Sequence, residues 1–229
     1  MKKIIALLSV LLPLCISAQV SFSFEDGSAG GWIFNAADRW NTDNVNPLNG
    51  LYSLHHVFDN SEAATDVAVF SIAGLCPDCS ETTWEFTVRH GADPSSSNKW
   101  SFILASDTGT DGIITGAGFS GFAAGVNFSG YDDTLRLWHI LEGKVNVLIS
   151  TEVNWQNDIG TDGVATIKVT RLPGGEWTML VESWGTEPGA WGMEHGAGSV
   201  KKGAWSKEHE EKGKEGNENS LWKYAGISY

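Results

Sequence analysis

Large apolar residues alternate with polar ones along two arms in the middle of the chain, residues 83–90 and 99–105. Trp84, Phe86 and Val88 share one face of the first arm, with Glu85, Thr87 and Arg89 on the other. Trp100, Phe102 and Leu104 share a face of the second. A period of two with bulky apolar residues predicts half-buried β-strands. The connector, residues 91–98, is rich in Gly, Pro, Ser and Asn, and it predicts an antiparallel pair between the two arms.

The same texture runs through residues 20–183. Strands are predicted at 20–24, 51–59 and 66–74 before the two arms, and at 123–130, 134–141, 144–153, 164–172 and 176–183 after them. Trp40 falls in a polar loop, and residues 106–121 form a glycine-rich loop that reads as a cover or ligand loop. Short strands at regular spacing, with no helical stripe between them, predict an all-β fold, an antiparallel two-sheet β-sandwich.

The two ends differ from this body. Lys2 and Lys3, an apolar run over residues 4–14 and Ile16-Ser17-Ala18 have the form of a secretory signal, so residues 1–18 are expected to be removed and the protein exported. The apolar run is too short to span a bilayer comfortably, and no membrane insertion is expected once it is gone. Past Trp184 the alternation and the Asp-rich turns disappear together. Residues 185–229 contain no Asp and are dominated by Gly, Glu, Lys and Trp. They are expected to be an unstructured tail, either a charged extension or the product of a reading frame lost near Trp184.

Composition narrows the partners. Residues 19–184 carry seven Lys and Arg against 21 Asp and Glu, which argues against nucleic acid and anionic membranes and suits neutral ligands or calcium. Beyond residue 18 the cysteines are Cys76 and Cys79, in Cys76-Pro77-Asp78-Cys79. In an oxidising compartment they are expected to close a small disulfide loop; a zinc site lacks a second pair, and no helical pattern follows as a thioredoxin-type centre would need.

Aromatics supply the candidate binding chemistry. Sugar rings present apolar C–H faces that stack on indoles, while their hydroxyls pair with Asp and Asn. Among the 11 Trp residues, Trp84, Trp100 and Trp177 are in phase with apolar neighbours and are expected in the core. Trp138 lies on the strand face opposite Leu135 and Leu137, Trp155 follows a strand end among Asn154, Gln156 and Asn157, and Trp40 has polar neighbours. These three are the candidate stacking platforms, and for Trp138 packing within the fold stays open as well.

Asp107-Thr108-Gly109-Thr110-Asp111-Gly112 and Asp158-Ile159-Gly160-Thr161-Asp162-Gly163 are near-repeats. Carboxylates four apart among glycines, such as Asp107 and Asp111, can wrap oxygens round calcium; Asp-Gly turns explain the same spacing. Catalysis finds less support. Retaining glycosidases need two carboxyl groups about 5 Å apart, and the strand pattern that would set them side by side is missing. His55, His56, His90 and His139 have no Ser or Cys beside them in a nucleophile turn.

Phe24-Glu25-Asp26-Gly27, Gly31-Trp32 and Gly50-Leu51-Tyr52-Ser53-Leu54 together resemble the opening of bacterial carbohydrate-binding and lectin-like sandwiches. The middle is similar to an uncharacterised N-terminal domain of large secreted bacterial surface proteins. That likeness rests on residues 94–100, on Ala124-Gly125-Val126-Asn127-Phe128 and on Asp132-Asp133-Thr134-Leu135-Arg136-Leu137-Trp138. The resemblance covers residues 20–183 and implies a concanavalin A/laminin-G-like jelly roll, also found in glucanases, in a non-catalytic module. It implies a structural calcium near Glu25 and Asp26, and makes Asn127, Asp132 and Asp133 candidates to meet sugar hydroxyls. The function expected is therefore secreted binding or adhesion to a glycan or cell-surface polysaccharide. A glycan-cleaving enzyme of the same fold and a structural spacer are the alternatives.

Overall fold

The computed structural model describes residues 19–58, 64–72, 74–115, 118–184, 201–203 and 224–228. The expected signal at 1–18 and most of the expected tail lie outside the described residues. In chain order the strands are β1 (Ile33–Phe34), β2 (Trp40–Asp43), β3 (Ser53–His56), β4 (Val67–Ser71), β5 (Thr82–Val88) and β6 (Trp100–Ser106). A short helix α1 (Thr110–Ile114) follows, then β7 (Gly121–Val126), β8 (Thr134–Leu141), β9 (Lys144–Asn154), β10 (Val164–Arg171), β11 (Trp177–Trp184), β12 (Lys201–Gly203) and β13 (Tyr224–Ser228).

They form a seven-stranded sheet in the order β1-β4-β13-β6-β7-β8-β9 and a four-stranded sheet β12-β11-β10-β5. A small sheet of β2 and β3 stands apart from both. The pairings are antiparallel. The two large sheets enclose one apolar core. Trp84, Val88, Ile167, Val169, Trp177 and Met179 enter it from the four-stranded side, and Trp100, Leu104, Phe122, Leu135, Leu137 and Ile149 from the other. This is the antiparallel two-sheet β-sandwich that the alternation predicts.

Its wiring differs from the expected one. The arms β5 and β6 do not pair: β5 bonds to β10, and β6 bonds to β7 and β13. The connector crosses from one sheet to the other. Alternation specifies which face of a strand is buried, and a strand's backbone partner is a separate matter.

Residues 20–24 are not a strand either. Phe24 has φ +58°, Gly27 N–H donates to its carbonyl, and the chain turns there. Phe22 and Phe24 pack on Trp32, and Phe22 on Phe70, so their apolar spacing serves a local aromatic cluster. The glycine-rich loop contains α1. Its Ile113 covers Val67, Val69 and Ile103 on the outer face of the seven-stranded sheet, joined by Ile114 and Phe119. Two short segments from the expected tail are described: β12 is an edge strand of the four-stranded sheet, and β13 lies between β4 and β6. The ladder on both sides of β13 joins β1 and β4 to the rest of their sheet.

Close approach explains two glycines of β7. A Cβ on Gly121 would stand 2.1 Å from the Ala105 carbonyl oxygen, and one on Gly125 2.2 Å from that of Trp100. No helix among the described residues is long and apolar enough to cross a membrane.

Candidate functional site

The proposed platforms prove to be interior. Trp40 is 7 % exposed, and Trp138 and Trp155 are 0 % exposed, so none has a free face for a ring to stack on. Each has its own cause. Trp138 does point away from the main core, as its phase predicts, but Phe119, Phe128 and Val145 close over it together with Ala123 and Ile140. Trp155 begins a π-helical turn, Trp155–Ile159, that rotates it inward against Trp100, 4.8 Å between ring centroids. Asn154 Oδ1 accepts the Asn157 N–H and Asp158 Oδ2 accepts the Asn154 N–H, so the polar neighbours build the turn. Trp40 starts β2 and packs on Phe34 and His56.

The polar residues round Trp40 are tied down as well. Buried Asp66 holds Arg39 at 2.6 Å and His56 at 2.8 Å, and Asp43 meets His55 at 3.2 Å. This network fastens the small sheet to the start of β4.

The residues expected to hold calcium accept hydrogen bonds from the backbone or lie at a helix start. Glu25 accepts the backbone N–H of Leu51 at 2.9 Å and of Tyr52 at 3.4 Å, and Asp26 accepts that of Ser28. Asp107 Oδ1 accepts the Ser120 N–H at 2.8 Å, while Asp111 lies in the first turn of α1. Among the described residues no three His, Cys, Asp or Glu side chains converge as a metal site would require. The near-repeats take different shapes: the first leads into α1, and the second starts inside the turn after β9. Cys76 and Cys79 are disulfide-bonded, and the loop they close carries Asp78 to buried Arg171, Oδ1 to Nη1 2.5 Å.

A site forms where β7 turns into β8. Asn127 is buried at φ +57°; its Nδ2 donates to Asp133 Oδ1 at 2.7 Å, and its Oδ1 accepts the Asp133 N–H at 3.0 Å. Asp133, at φ +59°, offers its carbonyl to the Trp155 N–H at 2.7 Å. Asn154 Nδ2 donates to the Asp132 carbonyl at 3.0 Å. Asn127 and Asp133 therefore act as the frame of the turn, Asn127 buried and Asp133 half-buried. Gly130 sits at φ +105°, a conformation L side chains rarely adopt.

On that frame Tyr131 and Asp132 are both exposed. Both Asp132 oxygens accept from Arg136, from Nη1 and Nη2 at 2.5 Å each. Arg136 holds the Asp132 carboxyl down at about 2, chiefly by hydrogen bonding, and the arginine is raised in turn. An open cavity of about 380 Å³ lies here, lined by Ser129, Gly130, Tyr131, Asp132, Arg136 and Val147. Tyr131 is 81 % exposed. Of the residues expected to meet a ligand, Asp132 alone lines this cavity; Tyr131, Arg136 and Val147 are additions. Tyr131 had a sequence signal, an aromatic residue inside a Gly-Tyr-Asp-Asp turn where neither strand's phase can bury it.

No protein-family model matches the chain, and no curated protein matches it. Among solved structures it is similar to the carbohydrate-binding module CBM66 from Bacillus subtilis, with a TM-score of 0.46 and 12 % identity over 87 % of each chain.

Proposed function

We propose that this chain is an exported, non-catalytic binding module, and that the cavity at the β7–β8 turn is its glycan site. The observation that carries the reading is the pairing of an exposed ring with an exposed carboxylate on a rigid turn. Tyr131 offers an apolar face for the C–H side of a sugar. Asp132 offers oxygens to its hydroxyls, fixed in place by Arg136. A site carried by strand ends and a hydrogen-bonded turn is ordered before the ligand arrives, which lowers the entropy lost on binding.

The test is a polysaccharide panel read by affinity electrophoresis and calorimetry. At least one polysaccharide is expected to retard the protein with no release of reducing ends. Tyr131→Ala is expected to weaken that binding about tenfold, the loss of one stacking contact of roughly 1.4 kcal/mol, at an unchanged melting temperature. Equal binding by Tyr131→Ala would move the site elsewhere, and released reducing ends would make the protein an enzyme.

A further inference from the structure

The two charged groups of the cavity are unequally available. Arg136 is 15 % exposed and Asp132 51 %. Both Nη groups of the guanidinium are engaged by Asp132, so its end-on fork already holds a carboxylate, and the rest of the group is largely buried. A carboxylate has about four lone-pair positions; the arginine takes two of them and the backbone N–H groups of Thr134 and Asp132 also bear on the group, yet half of the side chain stays exposed. The accessible chemistry beside Tyr131 and Val147 is therefore an acceptor with negative charge.

We infer that this site selects glycans by charge: it takes uncharged sugar rings, whose hydroxyls donate to Asp132, and refuses polyanionic ones. The inference rests on the glycan reading of the same cavity. Three further observations support it. The surrounding domain has threefold more acidic than basic residues, 21 against seven over residues 19–184, so an anionic polymer approaches against the field. The Asn127–Asp133 bonds and the Asn154 contact hold the turn, so Arg136 stays matched to Asp132 when a ligand arrives. Arg136 also keeps the acid ionised well below neutral pH, which preserves the negative edge in acidic surroundings.

The experiment runs the full chain through gels containing neutral β-glucan, mannan or xylan, and through gels containing polygalacturonate or alginate, at low and at 0.5 M salt. Retardation is expected in at least one neutral gel, insensitive to salt, and in neither polyuronate gel. In Asp132→Asn the guanidinium edge is released. This variant is expected to lose about tenfold in the neutral gel and to gain polyuronate retardation that high salt abolishes. Wild-type retardation by polyuronates, equal to or stronger than by neutral polymers, would overturn the inference and leave the glycan reading standing. Retardation in none of the gels would overturn both. The wild-type comparison decides the matter even if Asp132→Asn does not fold.

Discussion

Phe86 of β5 and Phe102 of β6 stack nearly parallel, 4.3 Å between ring centroids and 7° between planes, although their strands belong to different sheets. The contact runs through the sandwich and joins its two layers beside Trp84 and Trp100. Both rings are only partly buried. Truncating either to alanine is expected to cost roughly 2–3 kcal/mol, somewhat below the range for a fully buried phenylalanine. The double mutant should reveal a coupling of about 0.5–1.5 kcal/mol in denaturant unfolding. Strict additivity would mean that the rings do not hold the sheets together.

Gly125 is required for a different reason, the distance between neighbouring backbones. An alanine Cβ there would come 2.2 Å from the Trp100 carbonyl oxygen and 2.7 Å from Ser101 Cα, forcing β6 and β7 apart. Gly125→Ala is expected to lose about 3 kcal/mol or more. Gly174→Ala, with nothing within 4 Å of its added carbon, should melt within a degree or two of the parent protein. Calorimetry of the pair tests the register of β6 against β7.

The disulfide loop has an energetic consequence beyond chain entropy. Asp78 in that loop faces Arg171, which is buried near the rings of Phe122 and Trp177. Asp78→Ala removes an anion from beside a buried cation. Because the Asp78 side chain is half exposed, the loss is expected to be about 1–2 kcal/mol, short of the figure for a fully buried pair. Reducing the disulfide should lower the melting temperature of the parent protein more than that of Asp78→Ala. Equal shifts would show that the loop acts on stability independently of Arg171.

His90, just past β5, is held below the ordinary histidine value of 6.5, first by its burial. As pH falls through that value the unfolded chain takes up a proton that the folded chain refuses. Stability therefore falls with pH, and the loss is complete below the folded-state value. Denaturant midpoints between pH 7.5 and 5 should decline in the parent and decline less in His90→Gln. A midpoint independent of pH in the parent would contradict this arrangement.

Asp132 titrates in the opposite sense. Its carboxyl is pushed down to about 2, mainly by hydrogen bonds from Arg136, so the stabilisation it provides is present above the ordinary carboxylate range and is lost as pH falls toward 2. The group is well exposed and solvent screening keeps that stabilisation small, so the measurement is the titration itself. Carboxyl NMR should place Asp132 near 2 in the parent and shift it up toward the ordinary value, about 3.9, in Arg136→Gln.

Residue types and their period of two were enough to read the class of fold and the strand residues at the centre of its core, although not Trp155, whose burial depends on the turn after β9. Trp84, Phe86, Val88, Trp100, Phe102 and Leu104 all enter or pack against the main cluster, because alternation fixes on which face of a strand a side chain falls. Neighbours are another kind of information. Backbone hydrogen bonds carry no record of sequence, so nothing local told β5 to bond to β10, or β13 to lie between β4 and β6. Exposure is equally non-local. The outward phase of Trp138 could be read along its own strand, but its cover comes from Phe119 and Phe128 on other segments. Asp132 was legible as a polar group in a turn. That Arg136 would lock it and Val147 would stand beside it depended on how β8 and β9 came together, and only the folded chain brings them to one cavity.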